Sequence, residues 1–199
     1  MSETSLSLLD RLRSGTDETA WKRFVDLYTP LIRGWLRRHR ICEPDADDLA
    51  QDVMTVVIRD LGSFEHNQRT GAFRTWLRTV TAHRLQALWR SRQGRPLVTG
   101  DRNFEQTLEQ LADPASSLSR LWDQQHDQHV ARRLMELVRP QFQDRTWQAF
   151  RRVVLDGLQA AEVAQELGIS VNAVLVAKSH VLARLRLEMR GLTDDEPFS

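Results

Sequence analysis

An all-α fold is predicted, built as two small helical domains joined by a flexible linker. Three observations carry this. Apolar residues recur at spacings of three and four along most of the chain, and strand-like alternation is nearly absent. The periodicity lapses between Gly94 and about Ser119, where Gly100, Pro114 and a serine pair punctuate a polar stretch. A length of 199 residues lies between one domain and two, and 41% apolar content is slightly low for a single globule. The division expected is 1–95, a linker over 96–118, a second domain over 119–191 and an acidic, disordered tail over 192–199.

The first helix is expected from about Asp17 to Arg40. Trp21, Phe24, Val25, Tyr28, Ile32, Trp35 and Leu36 fall on one face, and Pro30 should bend it because proline has no N–H for the ladder. The second starts near Pro44, since proline is tolerated in a first turn. Ala46, Leu49, Ala50, Val53, Val57 and Leu61 form its inner stripe, and Gly62 is expected to end it. A polar loop over Ser63–Gly71 leads to a third helix, about Ala72 to Arg92, with Phe73, Trp76, Leu77, Val80 and Leu88 inward. A short helix near Phe104–Leu111 is expected inside the linker. Four more are expected at about Leu118–Arg139, Asp144–Leu155, Ala160–Leu167 and Val171–Met189.

Composition excludes several classes. The single Cys42 permits no internal disulfide and no cysteine cluster for zinc, so a reducing, cytoplasmic location is expected. No apolar run is long enough to span a bilayer, and the start of the chain lacks the pattern of a signal peptide. A net charge of +1 decides nothing about nucleic acid, so the distribution of charge must.

Three local patterns carry chemistry. The run AAEVAQELGISVNAVLVAKSHVLARL, Ala160 to Leu185, has the spacing of a helix-turn-helix. Gly168 supplies a left-handed turn, Ile169 fills the angle between the helices and Ser170 caps the second. Val163, Ala164, Leu167, Ile169, Val174 and Leu182 are its expected core. An ordinary helical hairpin with a glycine cap is the competing account. Next, Arg69–Arg95 holds seven arginines with Phe73, Trp76, His83 and Trp89, and no acidic residue. Guanidinium groups and aromatic faces together suit nucleic acid, and seven unopposed cations would otherwise repel one another. Third, Glu43, Asp45, Asp47, Asp48, Asp52 and Asp60 surround the second helix against a lone Arg59. First-turn carboxylates favour the helix dipole, which accounts for Asp45 and Asp47 but less well for Asp52 and Gln51. An acidic helix beside a basic one suggests a protein partner on one side and DNA on the other.

Catalytic constellations are missing, with no glycine-rich phosphate loop and no GxSxG. Asp123, His126, Asp127 and His129 share one helix, but no third strong ligand stands nearby, so a solvated polar face is expected rather than a metal site. No enzyme activity, metal or cofactor is expected.

These patterns occur in a known order. PDADDLAQDVMTVVIRDLGSF, Pro44–Phe64, followed by GAFRTWLRTVTAHRLQALWRSR, Gly71–Arg92, resembles the second region of extracytoplasmic-function (ECF) sigma factors. The late helix-turn-helix is similar to their fourth region. The resemblance covers about Glu18–Arg95 and Leu134–Arg190. It implies a promoter-specificity subunit whose partners are core RNA polymerase and promoter DNA, with an anti-sigma factor as a further partner and no membrane insertion. It also implies roles for residues. Asp48, Leu49, Gln51, Asp52 and Val53 match the surface that grips the clamp of the largest polymerase subunit. His66, Asn67, Gln68, Arg69 and Thr70 match the loop that captures a flipped base of the −10 element. Arg74, Arg78, His83 and Arg84 match the helix face along that element, with His83 where asparagine is common. Asn172, Ala173, Leu175, Val176 and Ser179 match positions facing the −35 element, with Lys178, Arg184 and Arg186 for phosphates. Leu175 replaces a usual lysine and Val176 a small polar residue, which shifts readout toward methyl contact and shape. The rival function is a stand-alone helix-turn-helix regulator, which needs neither the acidic helix nor the aromatic–basic segment.

Overall fold

A computed structural model describes residues 7–13, 17–38, 41–64, 71–91, 104–190 and 192–193. Nine α-helices and no strand occur among the described residues: α1 (Leu8–Arg13), α2 (Glu18–Arg38), α3 (Glu43–Asp60), α4 (Ala72–Ser91), α5 (Phe104–Ala112), α6 (Ser117–Val138), α7 (Asp144–Val154), α8 (Ala160–Leu167) and α9 (Val171–Met189). The all-α class is as expected, and most expected boundaries agree to within two residues.

Local chemistry fixes several ends. Cys42 precedes α3, and Pro44 sits in the first turn, where its missing N–H costs nothing. Gly62 does not end α3 through a left-handed turn. The helix stops at Asp60 and tightens into a 3₁₀ turn over Leu61–Ser63 that contains the glycine. Pro30 is accommodated inside a continuous α2. The serines ahead of α6 act as ties. Ser116 Oγ caps α6 by accepting from the Ser119 amide at 2.9 Å, and Ser119 Oγ donates back to the Leu111 carbonyl at 3.2 Å. They hold α5 against the start of α6 within the segment expected as linker.

α2, α3 and α4 pack around Phe24, Tyr28, Ile32, Val53, Val57, Phe73 and Leu77, all buried. Phe24, Tyr28 and Phe73 meet as rings, with centroids 4.6 to 5.8 Å apart. In the C-terminal part, α7, α8 and the first half of α9 enclose their own small core of Ala149, Val163, Ala164, Val174 and Ala177. Between the two parts stands α6. It packs on α2 and α4 at one side and on α9 at the other. Trp122 of α6 lies edge-on to Trp35 of α2, centroids 4.9 Å apart, and one apolar cluster continues from α2 through α6 to Leu185 and Met189 of α9.

α1 is not among the expected helices, because its turn and a half is too short for periodicity to register. Its Leu8, Leu9 and Leu12 are buried, and Ser7 Oγ receives the Asp10 amide at 3.2 Å. Arg11 reaches the far end of the chain and pairs with buried Glu188 of α9 at 3.1 Å. No single described helix is long and apolar enough to cross a membrane.

Candidate nucleic-acid interface

The helix-turn-helix forms as its residues demand. Gly168 ends α8 at φ 61°, ψ 44°, the left-handed region where a side chain would be strained. The Ile169 amide then donates to the Ala164 carbonyl at 3.0 Å, and Arg145 of α7 donates to the exposed Leu167 carbonyl at 2.7 Å. At the start of α8 the Gln159 amide donates to the Glu162 carboxylate at 2.9 Å, and Ser170 caps α9 by accepting from Ala173 at 3.1 Å. The chain bends by 106° between α8 and α9, within the range of helix-turn-helix units. An ordinary hairpin folds back on itself and does not produce this angle. Val163, Ala164 and Val174 are buried as expected, with Leu167 and Ile169 half-buried beside them. Leu182 is buried too, but in the larger cluster.

α9 presents Asn172, Ala173, Leu175, Val176 and Ser179 to solvent, with Lys178 half-buried on the same helix. Val171, Leu175 and Val176 are among the few large apolar residues left exposed, at 44%, 47% and 43%. Arg186 is exposed. Arg184 pairs with Glu188 at 2.5 Å, so its charge is shared with a neighbour within the helix.

On α3, Asp48, Gln51 and Asp52 are exposed, whereas Leu49 and Val53 are buried in the core. The pair therefore cannot belong to a contact surface. They support the helix from inside, while the three polar residues and the exposed Ile58 face outward. The acidic cluster is partly matched by α2: Asp47 pairs with Arg33 at 2.6 Å and Glu43 with Arg37 at 3.1 Å. Asp45 is buried and accepts from the Cys42 thiol at 2.7 Å. These partners leave Asp48 and Asp52 as the acidic groups of α3 most open to a partner protein.

On α4, His83 is exposed and Arg84 half-buried. Trp76 stacks on Phe64 at 4.9 Å and packs on the core, as its place in the pattern implies. Arg74 and Arg78 are not displayed. Both are buried against α6, where Arg74 pairs with Asp123 at 3.2 Å and also with Asp127, and Arg78 pairs with Asp123 at 2.6 Å. The positive charges of this segment are thus not all unopposed. Nor is the Asp123–His129 stretch a solvated face. His126 is fully buried, 2.9 Å from Asp127 and 3.4 Å from the Tyr28 hydroxyl, and His129 Nε2 lies 2.8 Å from the Leu27 carbonyl. Burial lowers the proton affinity of both histidines, against a partial counter-effect from Asp127 on His126. Burial and then Asp127 hold the Tyr28 phenol well above its usual range. His66, Asn67, Gln68, Arg69 and Thr70 lie outside the described residues.

With this geometry established, residues 24–95 match the family model of sigma-70 region 2. The match takes in most of α2 and all of α3 and α4, the part that holds both the acidic outer face and the basic segment. No curated protein matches the chain.

Proposed function

We propose that this chain is a sigma factor of the extracytoplasmic-function type, a non-catalytic subunit that binds core RNA polymerase and directs it to promoters. One coincidence carries the reading: a sigma-70 region 2 match over 24–95 stands in the same chain as a capped helix-turn-helix bent by 106°. In this reading residues 1–95 serve polymerase and the −10 element, 96–118 connect, and 119–191 serve the −35 element. The outer face of α3, Asp48, Gln51 and Asp52, meets the polymerase clamp. His66 to Thr70 capture an unpaired base, and His83 and Arg84 follow the −10 DNA. Asn172, Ala173, Leu175, Val176 and Ser179 enter the major groove of the −35 element, with Lys178 and Arg186 on phosphates. The work is cytoplasmic, and an anti-sigma protein is a natural regulator of such a factor.

Run-off transcription with purified core polymerase, with and without this chain, tests the proposal. Promoter-dependent transcripts are expected only when the chain is present. A stand-alone regulator would bind duplex tightly by itself and leave polymerase unprogrammed.

A further inference from the structure

Among the described residues, Ile58, Leu121 and Leu155 are large apolar side chains exposed singly, which is ordinary for a protein surface. Val171, Leu175 and Val176 are exposed together, on one face of α9. The other side of that helix supplies Val174 and Ala177 to the small core, so the three have no packing role there. Val171 and Leu175 are four residues apart, as are Asn172 and Val176, so they form two adjoining rows one turn long. One turn of ~5.4 Å covers between one and two base-pair steps of ~3.4 Å, which puts neighbouring base pairs within reach of the patch.

What the face lacks is equally specific. From Val171 to Ala177 there is no Arg or Lys to read guanine and no Asp or Glu to read cytosine. Asn172 and Ser179 are the polar groups exposed on this face, and Lys178 and Arg186 follow further along the helix, where they suit phosphates. The apolar group that a base pair offers in the major groove is the C5 methyl of thymine. 5-Methylcytosine carries the same methyl at the same place. Leucine and valine neither donate nor accept hydrogen bonds, so they gain from the methyl and from no polar atom beside it.

Resting on the reading of α9 as the helix that meets the −35 element, we infer that Val171, Leu175 and Val176 recognise pyrimidine C5 methyl groups. The element they select is a tract of neighbouring C5-methylated pyrimidines, and it is not fixed by guanine. Removing the methyl from thymine weakens binding, and adding one to cytosine strengthens it. Cytosine methylation within the element therefore raises affinity for the factor with no change in base pairing.

The test uses the full-length chain with core polymerase and a pool of duplexes randomised upstream of the transcription start. Bound duplexes are selected, the enriched upstream element is located by footprinting, and modified copies are compared by competition. Deoxyuridine in place of thymidine removes only the methyl and is expected to weaken binding about fourfold at each contacted position, as for one CH₂-sized group kept from burial. 5-Methylcytosine in place of cytosine at those positions should strengthen binding by a similar factor. Leu175→Ala with Val176→Ala should erase both differences while melting like the wild type, because both side chains are exposed. Asn172→Ala should weaken binding to thymine and deoxyuridine duplexes alike. Equal affinity for thymine and deoxyuridine duplexes at every position would overturn the inference. So would a methyl preference that survives the double alanine variant, which would belong to DNA shape. A double variant that binds every duplex like the wild type would also overturn it and leave the apolar face to a protein partner. Failure of the underlying reading looks different, since then no element is enriched and the chain does not programme polymerase in the run-off assay.

Discussion

Arg78 of α4 and Asp123 of α6 meet at 2.6 Å across 45 positions of sequence, with the arginine almost wholly buried. A charge so placed is tolerable only while its partner is present. Asp123 also faces Arg74, so the three groups act as a unit and single substitutions should not add. Arg78→Ala is expected to cost about 1–3 kcal/mol, because it removes both a charge-assisted hydrogen bond and the packing of the side-chain stem. Arg78→Met, which restores the stem, should recover part of that. Urea denaturation midpoints of the two variants check the order.

The two histidines of α6 predict how the fold answers acid. Burial lowers the proton affinity of His126 and His129, so the unfolded chain binds protons more readily than the folded one below the ordinary histidine value of about 6.5. Stability is then complete above that value and falls as pH drops toward the lowered folded values. The groups facing His126 are Tyr28, Asp127, Arg74 and Asp123, and those facing His129 are the Leu27 carbonyl, Arg132, Arg133 and His126 itself. The thermal midpoint should decline between pH 7 and pH 5, more steeply than in a His126→Gln variant. A wild-type slope no steeper than the variant's would show that His126 does not set the response.

Gly168 and Ser170 fix the 106° turn between α8 and α9 by separate means. Gly168→Ala places a Cβ at φ 61° and is expected to cost about 1 kcal/mol or slightly more, from backbone conformation alone. The space around a Cβ there is open, with only an Arg145 nitrogen at 4.0 Å. Gly168→Asn should therefore be milder than alanine, since asparagine tolerates the left-handed region. Ser170→Ala removes the cap from Ala173 and should cost about 1 kcal/mol. Calorimetry of the three variants tests the ranking, and a harmless alanine at 168 would contradict the left-handed assignment.

What the sequence disclosed and what it hid divide along contact range. α3, α4, α8 and α9 were legible because spacing, proline placement and capping chemistry act within one or two turns. So was the turn at Gly168, which needs a glycine for reasons local to one residue. Arg74 and Arg78 could not be placed, because their partners sit 45 to 53 positions later and no periodicity connects α4 to α6. The same gap made Asp123, His126 and Asp127 look like a solvated face. A signal was present in hindsight: Trp122, His126 and His129 interleave with those acids, which is unusual for a helix side turned wholly to water. The exposed residues of α9 were legible through their place after the cap, whereas the tie of Arg11 to Glu188 joins residues 177 positions apart.

The face of α3 yields the sharpest separation of folding from binding. Gln51 and Asp52 are exposed, and among the described residues no hydrogen bond or ion pair of their side chains is seen. Leu49, two positions before Gln51, and Val53, next to Asp52, are 2% and 0% exposed. Leu49→Ala is expected to cost about 2–5 kcal/mol through lost burial and the cavity left behind, with Val53→Ala at or below the low end of that range. Asp52→Lys and Gln51→Ala should leave stability within about 0.5 kcal/mol, as surface changes do. If the outer face of α3 meets polymerase, the polar variants weaken association with core several-fold while melting like the wild type. Charge reversal should act more strongly than loss of the amide and should lose its effect at high salt. Leu49→Ala should reduce association only as far as it unfolds the chain, so the remaining folded fraction binds normally. Titration of labelled core with each variant, beside its urea denaturation curve, measures both quantities. Unchanged affinity in Asp52→Lys and Gln51→Ala would move the polymerase contact off this helix and leave the acidic face to be explained as solvation alone.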